Sequence, residues 1–359
     1  MSSGSTFMFP TSSYGIVRAV WWRGGWLFAT DSQIGKFGAD GSVLIPFTTF
    51  SDEAMETSHD PYLAVTDTGV TIGYAGSPKD TTQPPYGRLV ALDEQLVIKT
   101  GPVNVGVAYS AIAGLAPDGR AVAWYQGYLS NAEGYRFSLL TPSLTPSGTT
   151  DLLDAGFEST ETAEIAVGAT GFAVFYRKTG CPTSQRFDFA GNRVGTSVTL
   201  KPSSGNCPND TNLYAYRSSL HSVFAAGVHF VGFGDFGTNG YQPWAGYAVV
   251  DDSTGTARAV TAFPRQDSSL FGETPTVATF GGNFALAWST SPNGSSTQDN
   301  NYFALVSAEG TQLSPVLSLG LSVGKYLAPN VAASPTGFVV FMVVPATPTV
   351  YTAFNIGCQ

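Results

Sequence analysis

The sequence predicts an all-β protein whose 359 residues form one domain, a seven-bladed β-propeller with four strands in each blade. Three observations support this prediction: a strand–turn–strand pattern that recurs along the chain, a second hairpin within each repeat, and a composition that disfavours helices. Only 12% of the residues are charged, whereas 13% are aromatic. Together with abundant Gly, Ser, Thr and Pro, this composition is typical of short strands joined by turns.

The repeat is clearest in three segments, which read AEIAVGATGFAVFY from residue 163, PTVATFGGNFALAW from residue 275 and PNVAASPTGFVVFM from residue 329. In each segment two apolar runs flank a tight turn that ends on a small residue. Extending the pattern along the chain gives seven such anchor residues: Gly25, Gly69, Gly119, Gly171, Gly227, Asn283 and Gly337. Since Gly and Asn tolerate positive φ best, we expect each anchor to adopt a positive φ.

The residues around the anchors also recur. Five positions before each anchor stands a small residue: Val20, Ala64, Gly114, Ala166, Ser222, Ala278 and Ala332. After the anchor, each apolar run ends near an aromatic residue: Phe28, Tyr74, Trp124, Tyr176, Phe233, Trp288 and Phe341. We expect the small residues to let first strands crowd together and the aromatic side chains to fill the space between neighbouring sheets.

A second hairpin follows in each complete repeat, as in RFDFAGNRVG from residue 186, which gives the four strands of a propeller blade. The last repeat stops one strand short, whereas an apolar segment at residues 7–9 precedes the first repeat. We therefore expect an N-terminal strand to complete the last blade and close the ring, since closure removes an exposed sheet edge. Two separate β domains are the alternative. The predicted blades are 14–58, 59–107, 108–158, 159–215, 216–270, 271–325, and 326–359 completed by 5–13.

The pattern Pro-x-Val-Ala, a turn, Gly-Phe-x-Val-x-aromatic and an Arg-Phe-x-x-x-Gly hairpin resembles the roughly 50-residue repeats of bacterial extracellular propellers, which include lectin-like surface proteins. The resemblance covers nearly the whole chain. It implies the fold and an exported location, extracellular or at the cell surface, but no particular activity. The N-terminal residues have neither the basic nor the apolar region of a signal peptide, so the location rests on the resemblance alone.

The two ends of the predicted blades differ in loop length. Turns from first to second and from third to fourth strand lie at one end, the short-turn end, and are brief, as in TDTG and SPTG. Second-to-third and blade-to-blade connections lie at the other end, the long-loop end, and include GFGDFGTNGYQPWAG. Long loops persist mainly where they act, although neutral variation is the alternative.

Aromatic residues among Asn, Asp, Gln and Ser make the long-loop end a candidate binding surface. Such a composition suits stacking on a sugar ring with hydrogen bonds to its hydroxyls, and it equally suits a protein partner. The candidate ligand-binding residues are Tyr86, Tyr125, Tyr128, Tyr214, Tyr241 and Trp244.

The cysteines predict one disulfide. Cys181 falls in a second-to-third connection and Cys207 in the next blade-to-blade connection, so both are expected at the long-loop end of one blade. A bridge between them would restrain two long loops and is typical of oxidising compartments. Cys358 is left over, either as a free thiol or as a partner for another chain.

Loop carboxylates are the candidates for chemistry. Paired acids around the channel mouth could serve a glycoside hydrolase or lyase, could hold calcium, or could be ordinary solvated side chains. These acids are Asp52, Glu53, Asp60, Glu158 and Glu161. A weaker calcium candidate is the run Asp299, Asn300 and Asn301. His221 and His229 lie among apolar residues, which favours hydrogen-bonded core histidines over metal ligands.

Charge and hydropathy narrow the partners. The net charge of −9 and the absence of any Lys/Arg cluster argue against nucleic-acid binding, and the apolar runs are too short to span a bilayer. The favoured function is non-catalytic binding of a glycan or protein by a secreted or surface propeller, with no cofactor beyond a candidate calcium ion. The hydrolase or lyase is the first alternative, and a structural role in a surface assembly is the second. The sequence leaves the oligomeric state open.

Overall fold

The computed structural model describes residues 2–8, 18–30, 32–51, 55–80, 82, 86–107, 111–115, 121–127, 134–141, 143–151, 164–178, 181–201, 220–234, 245–263, 271–272, 275–291, 298–323, 329–344 and 350–356. The chain divides into two compact units. Ser12–Glu161 is the N-terminal unit, and Thr162–Gln359 together with Met1–Thr11 is the C-terminal unit. Within the described residues no helix is long and apolar enough to cross a membrane.

The described secondary structure consists of antiparallel strands. The N-terminal strand is β1 (Ser2–Met8). The strands of the N-terminal unit are β2 (Arg18–Trp22), β3 (Gly25–Ala29), β4 (Gln33–Phe37), β5 (Val43–Thr49), β6 (Met55–Thr66), β7 (Gly69–Pro78), β8 (Tyr86–Leu92), β9 (Ile98–Val107), β10 (Ala111–Leu115), β11 (Ala121–Gly127), β12 (Gly134–Leu140) and β13 (Pro146–Asp151). The remaining strands of the C-terminal unit are β14 (Glu164–Val167), β15 (Gly171–Lys178), β16 (Cys181–Asp188), β17 (Arg193–Thr199), β18 (Leu220–Ala225), β19 (Val228–Gly234), β20 (Ala245–Asp251), β21 (Ala257–Ala262), β22 (Phe271–Gly272), β23 (Thr276–Phe280), β24 (Asn283–Ser291), β25 (Gln298–Val306), β26 (Leu317–Val323), β27 (Asn330–Ser334), β28 (Gly337–Val344) and β29 (Val350–Ile356).

Each predicted repeat corresponds to one sheet. The N-terminal unit holds three four-stranded sheets, β2–β5, β6–β9 and β10–β13, each with its strands in chain order. The C-terminal unit holds β14–β17, β18–β21, a sheet with the order β22-β24-β25-β26, and a sheet with the order β1-β29-β28-β27. In the third of these, β22 and β23 both pair with β24, so the first strand of that sheet is in two pieces.

The N-terminal strand completes the last sheet, as predicted. β1 pairs antiparallel with β29, and Phe7 lies opposite Tyr351. The Phe7 side chain is fully buried and meets Phe341 edge-on, with ring centroids 5.6 Å apart. The strand spans Ser2–Met8, so it begins earlier than the predicted segment 5–13, of which residues 9–13 lie outside the described residues.

Tight turns with repeating hydrogen bonds join third to fourth strands. In six of these turns one residue has a positive φ: Gly41, Leu96, Leu144, Gly191, Gly255 and Gly310. An Asp, Ser or Thr that precedes it accepts backbone N–H bonds through its side chain. Asp188 Oδ1, for example, accepts the N–H groups of Ala190 and Asn192. These turns explain the short loops of the short-turn end, because each saturates its own backbone groups.

The predicted positive φ is wrong for four of the anchor residues: Gly25, Gly69, Gly171 and Asn283. Gly25, Gly69 and Gly171 each begin a second strand, and none has a positive φ. A Cβ added there would lie 2.6, 2.4 and 2.0 Å from the backbone oxygens of Phe37, Leu92 and Phe187 respectively. The small residue is needed because the third strand passes so close. The prediction is correct for Gly227 and Gly337, with φ values of 74° and 143°, whereas Gly119 lies outside the described residues.

The core lies between neighbouring sheets within each unit. In the C-terminal unit Phe230 of β19 stacks on Phe284 of β24 with centroids 4.6 Å apart, and Phe263 stacks on Trp288 at 4.8 Å. The predicted wedge-filling aromatics are buried wherever their side chains are described, namely Phe28, Tyr74, Tyr176, Phe233, Trp288 and Phe341. The Trp124 side chain lies outside that description.

Candidate functional site

First strands of successive sheets lie side by side in the C-terminal unit, in the order β14, β18, β23 and β27. Each of these strands starts at the long-loop end, because its following turn belongs to the short-turn end. Their first residues are Glu164, Leu220, Thr276 and Asn330, and all four are buried. Three of the four are polar, so this end of the first strands is unlike the apolar core between the sheets.

Hydrogen bonds link these first strands to one another. Thr276 Oγ1 donates to the carbonyl of Pro329 at 2.8 Å and accepts the N–H of Val331 at 2.9 Å. His221 Nδ1 accepts the N–H of Val277 at 2.8 Å. We call Glu164, His221, Thr276 and Asn330 the polar seam of the C-terminal unit. Because the acceptor role of Nδ1 requires a lone pair, His221 is uncharged in this geometry.

The N-terminal unit has its own polar strand start. Arg18 is the first residue of β2, and its guanidinium carbon lies 4.6 Å from the centroid of the Tyr62 ring. Both side chains are buried. A guanidinium over an aromatic face is held by cation–π attraction, which is stronger away from water. The stack therefore fixes the direction of a cationic group at the long-loop end of this unit.

A buried ionic network lies at the short-turn end of the C-terminal unit. The Asp252 carboxylate, after β20, accepts Nε2–H of His229 at 2.8 Å and Nε–H of Arg186 at 3.2 Å through Oδ1. Its Oδ2 accepts Thr170 Oγ1–H at 3.1 Å and Thr170 N–H at 3.3 Å. Arg186 also makes a short hydrogen bond to Thr170 Oγ1. Since Thr170 and Arg186 belong to the sheet β14–β17, the network joins two neighbouring sheets.

Burial and charge set the protonation states of this network. Desolvation lowers the pKa of His229, and the positive charge of Arg186 lowers it further, although Asp252 opposes the shift. Burial of the Asp252 carboxyl raises its pKa, but His229 and Arg186 outweigh burial and lower the pKa to about 2. Near neutral pH the network therefore contains the ion pair of Asp252 and Arg186 and a neutral His229.

The prediction of a hydrogen-bonded core histidine is confirmed for His229, whereas His221 is hydrogen-bonded but only half-buried. His229 is fully buried, packs against Phe175 and Phe224, and hydrogen-bonds to a carboxylate. His221 hydrogen-bonds to the backbone of the next first strand. Within the described part of the chain, no group of three or more His, Cys, Asp and Glu side chains could hold a metal ion.

Several predicted loop residues lie in strands instead. Tyr86, Tyr125, Asp60, Cys181 and Asp299 belong to β8, β11, β6, β16 and β25, and their side chains lie outside the described ones. The error arises because backbone pairing continues beyond the apolar run. β6 and β7 pair as far as Met55 and Pro78, and this pairing does not depend on apolar side chains.

The asparagines of the weak calcium candidate also lie in a strand. Asn300 and Asn301 pair with Thr290 and Ser289 of β24. Asn301 is fully buried, and its Nδ2 donates to the carbonyl of Gly320 at 3.2 Å. The amide of Asn301 thus supports strand pairing, which is a structural role that the sequence run did not suggest.

The other candidate residues lie outside the described part of the chain. They are Asp52, Glu53, Tyr128, Glu158, Glu161, Cys207, Tyr214, Tyr241 and Trp244. The ligand-binding and catalytic assignments, and the disulfide, remain predictions.

Sequence reasoning missed the network around Asp252. The segment VVDDSTG shows two adjacent acids in a turn, and Arg186 stands in the Arg-Phe part of the repeat. Asp251 accepts the N–H groups of Ser253 and Thr254 within its own turn. Asp252 can therefore face the neighbouring sheet β14–β17. The turn needs one carboxylate to accept its N–H groups, and the sequence has two adjacent ones. The second acid was the sequence signal that could have indicated the network.

Comparison with solved structures identifies the fold. The chain is similar to the structure of the Dos1 propeller, with a TM-score of 0.53, 11% identity, and coverage of 96% of this chain and 80% of that chain. At this identity the likeness bears on fold alone. The fold is a β-propeller with four-stranded antiparallel blades.

Other similar structures have different activities. The puromycin hydrolase S511A mutant complexed with PGG matches with a TM-score of 0.53 and 13% identity over 93% of this chain, which spans about half of that chain (52%). The GH43_1 enzyme from Xanthomonas citri complexed with xylose matches with a TM-score of 0.45 and 10% identity, over 84% of this chain and 90% of that chain, which is too low to bear on function. No family model and no curated protein matches the chain.

Proposed function

We propose that this propeller is a non-catalytic binding protein that recognises a glycan through its long-loop end. The contrast between the two blade ends carries the proposal. At the short-turn end, side chains of the described turns accept backbone N–H groups of the same turns, as Asp188 does for Ala190 and Asn192. At the other end the chain places its long connections, rich in Tyr, Trp, Asn, Gln and Ser.

The strand starts at the long-loop end support a polar ligand. In the C-terminal unit they carry the polar seam, and in the N-terminal unit they carry Arg18 stacked on Tyr62. Sugar hydroxyls pair with amides, carboxylates and guanidinium groups, while an aromatic ring covers the apolar face of the sugar. The connections differ from blade to blade, so we expect one composite site and not a repeated sugar site in each blade.

The proposal extends to the context of the protein. The chain acts outside the cell or at its surface and carries a disulfide between Cys181 and Cys207. The resemblance of its repeats to exported bacterial propellers supports this location, and oxidising surroundings suit the disulfide.

A glycan array on the non-reduced protein tests the proposal, run once with calcium and once with chelator. We expect selective, saturable binding that falls at least tenfold in Trp244→Ala, since an aromatic stack is typically among the dominant contacts of a site. Trp21→Ala is the matched control, because Trp21 lies beside the turn at the opposite end and packs edge-on against Trp26 at 5.0 Å. It should bind like the parent protein.

Three results would change the assignment. A blank array with a well-folded protein excludes glycan recognition and leaves a protein partner, which affinity capture would then seek. Equal losses in Trp244→Ala and Trp21→Ala would place the site elsewhere. Release of reducing sugar that disappears in Glu158→Gln would replace the binding protein with a hydrolase.

A further inference from the structure

The network of Asp252, His229, Arg186 and Thr170 is a contact of ionisable groups between the sheets β14–β17 and β18–β21. We propose that this network is an acid-sensitive latch, which holds the two sheets together at neutral pH and releases them locally as the pH falls below about 6.5, the ordinary pKa of histidine. The inference does not depend on the proposed ligand.

Hydrogen-bond geometry makes the latch specific for neutral His229. Its Nε2 carries the proton that bonds to Asp252, so Nδ1 carries a lone pair. Nδ1 is buried and has no hydrogen-bond partner among the described residues. Protonation would place a new N–H donor at Nδ1 without an acceptor there, and a buried donor without an acceptor is costly.

Charge balance acts in the same direction. Asp252 and Arg186 face His229 from the turn after β20 and from β16, and their charges cancel. Asp251, which also attracts a proton to His229, is itself paired with Arg258. A protonated His229 would therefore add an unbalanced positive charge to a buried, neutral group. Packing leaves little room for relief, since a Cβ added at Gly168 would lie 2.9 Å from His229 Cε1.

The direction of the pH effect follows from linkage. The pKa of His229 is lowered in the closed latch, so above pH 6.5 the open and closed states are both neutral and the latch has its full stability. As the pH falls below 6.5, the open state takes up a proton that the closed state resists. The opening equilibrium then rises by up to about tenfold per pH unit. Asp252 has a pKa of about 2 in the closed latch, and an ordinary Asp has a pKa of about 3.9, so Asp252 is ionised in both states above about pH 5 and the interval from 6.5 to 5 belongs to His229.

Hydrogen exchange measured by mass spectrometry tests the latch in the full-length protein. The reporting amides are those of Thr170, which bonds to Asp252, and of Asp252, which bonds to the carbonyl of Gly227. After correction for the intrinsic pH dependence of exchange, we expect their protection to be constant from pH 8 to 7. Between pH 6.5 and 5 it should then fall by up to about sixteenfold, as one linked proton predicts.

Two variants separate the latch from general acid sensitivity. His229→Gln keeps a neutral N–H donor and removes the titratable ring, so its protection should not change between pH 6.5 and 5. His59→Gln, in β6 of the N-terminal unit, is the matched control and should keep the parent slope. Equal slopes in the parent and in His229→Gln would overturn the proposal.

A measurement on the unaltered protein keeps the test decisive if His229→Gln does not fold. Imidazole ¹⁵N shifts report the tautomer and charge of each histidine. We expect one buried histidine that is neutral, protonated at Nε2, and still neutral at pH 5.5. If all histidines of the folded protein were charged at pH 5.5, the latch would be refuted.

Discussion

Single residues show two separate reasons for glycine in this fold. At Gly171 the reason is space, because a Cβ would lie 2.0 Å from the carbonyl oxygen of Phe187. At Gly227 the reason is conformation, because φ is 74° and nothing lies within 4 Å of an added Cβ. Glycine is thus needed at Gly171 because no side chain fits there, and at Gly227 because the backbone has a positive φ.

Alanine at these two positions should reveal the difference. Gly171→Ala forces a backbone shift in β15 or β16 and should cost about 1–3 kcal/mol, as overpacking does. Gly227→Ala pays only for a left-handed conformation and should cost about 1 kcal/mol. Urea unfolding midpoints measure both changes. A smaller loss for Gly171→Ala than for Gly227→Ala would show that the third strand can move away.

Two first-to-second turns hold a non-glycine residue at positive φ. Ala226 has a φ of 51° and Arg23 a φ of 49°, each followed by Gly. Asn is better suited to this position of a two-residue hairpin turn. We therefore expect Ala226→Asn to stabilise the protein by about 0.5–1 kcal/mol, measured by urea unfolding.

Arg23→Asn is the matched comparison. The Arg23 guanidinium donates to the carbonyl of Asp67 at 3.1 Å and pairs with Glu94 at 2.6 Å. Loss of these exposed contacts offsets the relief of strain, so we expect a change close to zero. If both variants gained equally, the contacts of Arg23 would contribute nothing to stability.

At the scale of elements, the third-to-fourth turns fill their positive-φ position with two different residue types. Four of these turns place Gly at the positive-φ position, whereas two place a leucine there. Leu96 has a φ of 60°, yet its side chain is buried in the cluster that includes Val70 and Leu92. The left-handed conformation of Leu96 costs free energy, and burial of the Leu96 side chain compensates for that cost.

Leu96→Gly should be destabilising although glycine suits the backbone. Loss of a buried leucine costs about 2–5 kcal/mol, and relief of left-handed strain returns about 1–2 kcal/mol. The net expectation is a loss of about 2 kcal/mol, and of roughly 4 kcal/mol at most, seen as a lower urea midpoint. A gain in stability would mean that the side chain adds little to the core.

The strand pattern was the predictable part of these elements. Short, nearly continuous apolar runs around small residues specify the hairpins, because both sheet faces must be buried and the turns must be tight. Strand ends were less predictable, as Asn301 and Tyr86 show, since hydrogen-bonded pairing extends beyond the apolar residues. The contact of Asp252 with Arg186 joins residues 66 apart, and no local pattern encodes such a distance.

At the scale of the whole molecule, the pairing of β1 with β29 of the last sheet is the feature to test. Phe7→Ala removes a fully buried ring between β1 and β28 and should cost about 3–5 kcal/mol. The neighbouring Met8 is 60% exposed, so Met8→Ala should change stability by less than about 0.5 kcal/mol. Urea unfolding, followed by limited proteolysis of residues 9–17, compares the pair. Equal midpoints would show that β1 does not stabilise the last sheet.

The pairing of β1 with β29 also sets an order for biosynthesis. β1 leaves the ribosome before its partner β29, which is made more than 340 residues later. At about 5–20 residues per second, Phe7 waits roughly 20–70 s for Tyr351 to appear. Any chain that stalls before β29 leaves Phe7 of β1 without its partner strand. We expect such unfinished chains to expose Phe7 to chaperones or proteases, because only a chain translated through β29 can bury it.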